Sequence, residues 1–164
     1  TTMIRKIFSL FLILLAVGAG LCSAQTAGKK YYLVDGLFFE GMPPGVGSDN
    51  VAGRPMVLNF WYTGCGPCIR EMPELNKWME VYPDVTYLAT TFDSAAQIKK
   101  IVESRPFLFT QIADDSFFFE TFHVSGMPVT ILVDKKGIIR HIEQGTGTAK
   151  LRYMQDKLQE LVSE

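Results

Sequence analysis

The sequence predicts an α/β domain built on a mixed β-sheet that is flanked by helices. From Met56 to Val133, apolar segments typical of strands alternate with amphipathic helical segments, an order that favours parallel strands joined by helical crossovers. The chain continues with a second strand-like segment after a short polar turn, which predicts an antiparallel hairpin. With 164 residues, 48% hydrophobic and 20% charged, the chain can bury the core of one globular domain.

The N-terminal segment has the layout of a secretory signal peptide. Arg5 and Lys6 precede an apolar run, and small residues follow it, so we expect cleavage between Ala24 and Gln25. The run is shorter than the roughly 18 to 20 apolar residues that span a bilayer, which favours cleavage over permanent anchoring. Lipidation of Cys22, and with it a membrane tether, is the alternative. We therefore expect an exported, periplasmic protein.

Removal of residues 1–24 changes both the charge and the cysteine content. Loss of two basic residues takes the formal net charge from −1 to −3, which argues against nucleic acid or an anionic membrane as partner. The three cysteines become two, Cys65 and Cys68. An exported protein with one closely spaced pair is not a disulfide scaffold. Residues 25–54 predict a polar leader with a short N-terminal β extension, and residues 55–164 the α/β domain.

Each element of the domain has its own pattern. Met56 to Tyr62 is an almost continuous apolar run, typical of a central strand buried on both faces. Apolar residues three and four apart predict a helix from Pro67 to Val81, kinked at Pro73. The other predicted elements are strands over Val85–Thr91, Phe109–Ala113, Val129–Val133 and Ile138–Ile142, and helices over Ala95–Ser104, Ser116–Phe122 and Thr148–Val162.

Two features near the short helix could suggest a ligand but are better explained by folding. The aromatic residues 117–119 and Phe122 are typical of packing against the core. Asp114 and Asp115 precede the helix, where an aspartate is a good cap for the free backbone N–H groups. We therefore expect neither an aromatic ligand site nor a metal there.

Cys65-Gly66-Pro67-Cys68 joins the central strand to the following helix. The first thiol should then lie at a helix N-terminus, where unpaired backbone N–H groups and the helix dipole favour an anion. We expect Cys65 to be the attacking thiolate and Cys68 the resolving thiol of a redox-active disulfide. The alternatives are a structural disulfide, which would constrain little chain entropy, and half of a zinc site, whose second pair of thiolates is missing.

A set of residues around the cysteine pair carries a family resemblance. It comprises Asn59-Phe-Trp-Tyr-Thr-Gly-Cys-Gly-Pro-Cys68, Glu71, Pro73, Gly126-Met-Pro128, Asp134 and Gly137. Together, over the chain from Arg54 to its end, they resemble thioredoxin-like proteins of the TlpA/ResA group. The resemblance implies a thioredoxin-like fold and an exported, often membrane-tethered reductase. It also implies disulfide-containing protein substrates, cytochrome c maturation and a membrane electron donor.

The resemblance assigns further site residues. Pro128 corresponds to a cis proline beside the attacking cysteine, and the backbone next to it, at Met127, would hydrogen-bond a substrate peptide. We add Gly66 and Pro67 to this substrate-binding surface. Glu71 corresponds to a glutamate that can accept the proton of the resolving thiol, with an ordinary exposed acid of the first helical turn as the alternative.

The sequence also departs from the family pattern. Asn59 stands where cytoplasmic thioredoxins have a buried aspartate, six residues before the first cysteine. Gly64 stands where most relatives have tryptophan, and its lack of a side chain removes an apolar wall beside the site. Trp61 matches the family's other tryptophan, but a buried strand aromatic explains it equally well. Substrate preference is the property that these departures affect most.

Three other functions fit parts of the pattern. A copper chaperone of the Sco type would use both cysteines and a distal histidine, for which His123 and His141 are available, although that family spaces its cysteines by three residues. A peroxiredoxin-like peroxidase shares the fold but lacks this cysteine pair, and a non-enzymatic scaffold would not need it. Gly-Pro between the cysteines is the dipeptide of reducing thioredoxins, whose potentials are roughly −270 mV, so we expect a reductase. We also expect a monomer that uses no cofactor.

Overall fold

The computed structural model describes residues 53–164. The predicted signal peptide and its cleavage site lie outside the described residues, as does the predicted β extension except for its last two residues. Every element predicted between Met56 and the C-terminus is present, with ends shifted by no more than two residues. The elements are β1 Met56–Phe60, α1 Gly66–Val81, β2 Thr86–Thr90, α2 Ala95–Val102, β3 Thr110–Ile112, α3 Phe117–Thr121, β4 Val129–Val133, β5 Ile139–Gln144 and α4 Thr148–Ser163.

The five strands of this region form one mixed sheet in the order β3-β2-β1-β4-β5. β1 runs parallel to β2, and β2 runs parallel to β3, with α1 and α2 as the crossovers. β4 lies antiparallel to β1 on its other side and pairs with β5 as the predicted hairpin. The predicted mixed sheet is therefore confirmed, and β1, with all five residues buried, is its central strand.

Alternate residues of the strands face two apolar clusters, one on each side of the sheet. Val57 of β1 lies in the cluster that α1, α2 and α4 cover, where Leu75 and Leu158 are fully buried. Leu58 and Phe60 lie in the other cluster, which α3 covers. Both faces of β1 are therefore packed, and the chain enters α1 from a fully buried strand.

The short helix α3 confirms the packing interpretation of its aromatic residues. Phe118 and Phe122 are buried, and the rings of Phe60 and Phe119 meet edge to face with centroids 5.1 Å apart. The expected capping of α3 is confirmed as well, although its N-cap residue, Ser116, makes no side-chain hydrogen bond to the helix. Instead, Asp115 Oδ1 accepts the N–H of Phe118 at 3.1 Å.

Candidate active site at the N-terminus of α1

A short turn carries the chain from β1 to the first cysteine. The N–H of Trp61 donates to the carbonyl of Thr90 at 3.1 Å, and the N–H of Cys65 donates to the carbonyl of Tyr62 at 3.0 Å. Buried Asp93, just after β2, accepts the N–H of Thr63 through Oδ2 at 2.6 Å. Sequence analysis missed Asp93, although an acid directly after a strand parallel to β1 is the signal that could have found it.

Cys65 is the N-cap residue of α1, as the motif predicts. It forms a disulfide with Cys68, with Cα atoms 5.3 Å apart, and the two residues are only 2% and 1% exposed. Cys65 Sγ accepts the backbone N–H of Cys68 at 3.2 Å. Since this N–H is one of the unpaired donors of the first helical turn, it can stabilise negative charge on Cys65 when the disulfide opens.

Glu71 lies one helical turn after Cys68, on the same face of α1. It is only 3% exposed, so the interpretation as an ordinary exposed acid is wrong. The amide of Asn59 donates to Glu71 Oε1 at 3.0 Å and to Thr130 Oγ1 at 3.1 Å. Burial raises the pKa of Glu71, and hydrogen bonds from the side chains of Thr146 and Asn59 only partly offset that rise. Sequence analysis did not connect Asn59 with Glu71.

The Met127-Pro128 peptide bond is cis, as the resemblance implies. In the sheet, Val129 pairs with Phe60, so the residues just before β4 lie at the same edge as the turn that leads to Cys65. The carbonyl of Pro128 accepts the N–H of Gly145 at 2.7 Å. By contrast, no residue between 53 and 164 hydrogen-bonds the backbone of Met127.

Tyr62 occupies the space that a side chain at residue 64 would need. A Cβ atom added to Gly64 would lie 3.0 Å from Tyr62 Cε2. The Tyr62 ring stacks on Phe92, with ring centroids 5.7 Å apart, and Phe92 is 50% exposed. Gly66 and Pro67, the first two residues of α1, are exposed. An aromatic surface thus borders the cysteine pair despite the glycine, and sequence analysis did not identify it.

The two histidines lie apart from each other. His141 of β5 pairs with Leu132, which in turn pairs with Val57 near the start of β1, at the opposite end of that strand from Cys65. His123 is exposed in the loop between α3 and β4. In the described part of the chain, no three His, Cys, Asp or Glu side chains gather where they could hold a metal ion.

Comparison with known proteins places this geometry in a family. Residues 46–142, more than half of the chain, match the AhpC/TSA family. The chain belongs to the AhpC/TSA family. This AhpC/TSA-family chain also has the thioredoxin-like fold that the sequence predicts. Its structure is similar to that of a candidate thiol:disulfide interchange protein DsbE from Chlorobium tepidum, with a TM-score of 0.70, 21% identity and coverage of 85% of this chain and 99% of the other.

Two curated relatives carry names that refer to this chemistry or fold. The thioredoxin-like protein YneN of Bacillus subtilis is 33% identical over 103 residues, which is 60% of this chain and 61% of YneN. The thiol:disulfide interchange protein DsbE of Pseudomonas aeruginosa is 36% identical over 93 residues, 56% of this chain and 52% of DsbE. The AhpC/TSA-family chain therefore spans between half and two thirds of the length of these relatives. Within residues 53–164, none of the helices is long and apolar enough to cross a membrane.

Proposed function

We propose that this protein is a thiol-disulfide oxidoreductase that reduces disulfides in other proteins through Cys65 and Cys68. The observation that carries the proposal is the disulfide at the start of α1, whose Cys65 sulfur accepts the N–H of Cys68. A helix N-terminus stabilises the thiolate that must be both nucleophile and leaving group. The names of similar proteins, among them thiol:disulfide interchange protein DsbE, support the same chemistry.

The reaction exchanges one disulfide for another. In the reduced protein, the Cys65 thiolate attacks one sulfur of the substrate disulfide, which forms a mixed disulfide and releases the other substrate sulfur as a thiolate. Cys68 then loses its proton and attacks Cys65 Sγ, which releases the second substrate sulfur and forms the Cys65–Cys68 disulfide. Two electrons pass to the substrate, whose thiolates take up protons, and a dithiol donor must reduce the protein again.

Glu71 is the proposed proton acceptor for Cys68 in the second step. It lies one turn after Cys68 on the same helix face, and burial raises its pKa above the usual range for a carboxyl. A raised pKa brings the carboxylate closer to a thiol in proton affinity, which is what a general base for a thiol requires. Asn59, bridging Glu71 and Thr130, would keep the carboxyl in place.

The substrate-binding surface is proposed to include Met127, Pro128, Gly66 and Pro67. The Met127 backbone has no hydrogen-bond partner within the described residues, and it lies at the sheet edge that leads to Cys65. An extended substrate segment could pair with it as an added strand. Gly66 and Pro67 are exposed directly after Cys65, so a bound peptide would pass over them.

The pathway is the most detailed part of the proposal. An N-terminal signal peptide implies export to an oxidising compartment, where a reductase needs electrons from a membrane donor. The resemblance to the TlpA/ResA group suggests haem-attachment cysteines as substrate and cytochrome c maturation as the process. Gly66-Pro67 between the cysteines supports the reducing direction.

A peroxidase is the second candidate, because the AhpC/TSA family matches residues 46–142. Peroxide reduction would require that peroxide reacts with one cysteine thiolate before the second cysteine does. Cys65 instead has Cys68 within disulfide-bonding distance and one turn away. Rapid consumption of hydrogen peroxide by the reduced protein, faster than its reduction of a protein disulfide, would favour the peroxidase.

The function is tested with cysteine variants and insulin as a disulfide substrate. The reduced wild-type protein should accelerate insulin reduction by dithiothreitol, and Cys65→Ser should remove the acceleration. Cys68→Ser should instead accumulate a covalent protein–insulin disulfide, visible by non-reducing mass spectrometry, because attack remains possible and resolution does not. No acceleration by the wild type, or a covalent adduct with Cys65→Ser, would contradict the proposal.

A further inference from the structure

A groove opens beside the cysteine pair and has no assigned role in the chemistry above. It has a volume of about 590 Å³. It lies between the first half of α1 and the loop that follows α2, and its lining residues are Gly66, Ile69, Arg70, Met72, Pro73, Ser104, Arg105 and Pro106. Because Gly66 directly follows Cys65, one end of the groove lies next to the cysteine pair in the chain.

Two arginines give the groove its charge. Arg70 folds back along α1, so that its Nη1 atom lies 3.4 Å from where a Cβ atom of Gly66 would be. Arg105 lines the groove from the loop after α2. Neither arginine takes part in an ion pair or a side-chain hydrogen bond with any residue of the described range, and no acidic residue lines the groove. Within residues 53–164, both guanidinium groups therefore have all their donors free for a ligand.

The wall that carries Arg105 is held against α1 rather than loose. Asn76 of α1 donates to the carbonyl of Pro106 at 2.8 Å and accepts the N–H of Leu108 at 2.9 Å. Phe107 between them is buried against Trp61, with ring centroids 5.9 Å apart. The groove is therefore already formed in this structure, and a preformed site loses less conformational entropy when it binds a ligand.

We propose that this basic groove binds an acidic segment of the disulfide-containing protein that Cys65 attacks, and so selects substrates with Asp or Glu near the reactive cysteine. The proposal rests on the proposed function for the chemistry of that partner. Two unpaired guanidinium groups on a protein of net charge −1 complement carboxylates, which they can bind through two parallel hydrogen bonds each.

The groove is tested with two disulfide peptides that differ only in having four glutamates or four glutamines beside the cysteine. With dithiothreitol as the reductant at low salt, the purified protein should reduce the glutamate peptide with a kcat/KM roughly five-fold higher than that for the glutamine peptide. This preference should shrink in about 1 M salt. The double variant R70Q/R105Q should bring the ratio of the two kcat/KM values close to one. The control R54Q/R152Q removes two exposed arginines outside the groove and should keep the preference.

The outcomes separate the groove from the chemistry. Equal rates for both peptides with the wild type, or loss of the preference in R54Q/R152Q as well, would contradict the proposed role of the groove. Either result would leave the proposed oxidoreductase activity unaffected. Reduction of neither peptide would overturn the oxidoreductase. In that event, fluorescence anisotropy with a glutamate peptide whose cysteines are replaced by serine tests binding to the groove directly. The Kd of this peptide should be about five-fold higher for R70Q/R105Q than for the wild type, and an unchanged Kd would contradict binding in the groove.

Discussion

At the scale of single residues, the site combines a sulfur whose negative charge is stabilised with a carboxyl whose pKa is raised by burial. Cys65 lies where α1 begins and its sulfur accepts a backbone N–H, so charge on that sulfur is stabilised. Glu71 is buried one turn beyond Cys68, where burial disfavours charge. A proton can therefore pass from Cys68 to Glu71 at a lower cost than to an exposed carboxylate.

Glu71→Gln should change stability in a pH-dependent way. Below about pH 4.3 the carboxyl is neutral in both the folded and the unfolded chain, so burial of its charge costs nothing. As pH rises towards the raised folded pKa, the unfolded chain ionises first, and the free energy of unfolding of the wild type falls. The free energy of unfolding of Glu71→Gln, minus that of the wild type, should therefore be more positive at pH 7 than at pH 4. Urea unfolding of the two oxidised proteins at both pH values measures this difference.

The same variant tests the chemical role of Glu71. If Glu71 takes the proton of Cys68, Glu71→Gln should slow release of substrate from the mixed disulfide by about 100-fold or more, measured by quenched single-turnover reactions. Attack by Cys65 should change little, which serves as the internal control. Equal slowing of both steps, together with a stability difference that is the same at pH 4 and pH 7, would assign Glu71 a structural role only.

Gly64→Ala should disturb the aromatic surface beside the cysteines. The added Cβ would lie 3.0 Å from Tyr62 Cε2, so the ring must shift by a few tenths of an ångström from its stacked position on Phe92. We expect a loss of roughly 0.5–1.5 kcal/mol in the free energy of unfolding, because a stacked pair is weakened and a rotamer is strained. Gly66→Ala, at the first residue of α1, is the control for replacing a glycine beside the cysteines, since its nearest neighbour is the movable end of Arg70. A larger loss for Gly66→Ala would contradict this account.

At the scale of elements, local patterns predicted the strands and helices, and chain topology supplied the rest. Apolar periodicity is a local property, so the central strand and α1 could be read from consecutive residues. The bond from Asn59 to Thr130 joins residues 71 positions apart, and only the pairing of β1 with β4 brings them together. Arg70 and Arg105 line the same groove because the crossover through α2 brings the loop after it next to α1. None of these contacts has a signal within a short stretch of sequence.

The side chain of Asn76 is the clearest test at the element scale. It ties α1 to the loop after α2 with two hydrogen bonds, at 2.8 and 2.9 Å. Asn76→Ala should lower the free energy of unfolding by about 1 kcal/mol, since the loss of two bonds exceeds the gain from the better helix propensity of alanine. Gln159→Ala, on an exposed position of α4, should stay within about 0.5 kcal/mol. Urea unfolding of both variants measures the difference, and equal stabilities would contradict a stabilising role of the two Asn76 hydrogen bonds.

At the scale of the whole molecule, the sheet brings every candidate residue to one edge. The turn after β1, the residues after β2 and the peptide before β4 meet there because β1 lies between β2 and β4. The sequence predicted the thioredoxin-like fold through its resemblance, and the cysteine pair through its position between a strand and a helix. It did not predict the basic groove or the aromatic surface, because both are assembled from segments that are distant in the chain.

The most direct test of the central claim is the equilibrium reduction potential of the Cys65–Cys68 disulfide. It is measured on the purified protein in dithiothreitol or glutathione buffers, by the alkylation state of the two cysteines. A dedicated reductase requires a potential below about −220 mV, and this is the result that we predict from the Gly-Pro dipeptide between the cysteines. A potential above about −150 mV would mean that the protein oxidises or isomerises disulfides, and it would contradict the proposed direction of electron flow.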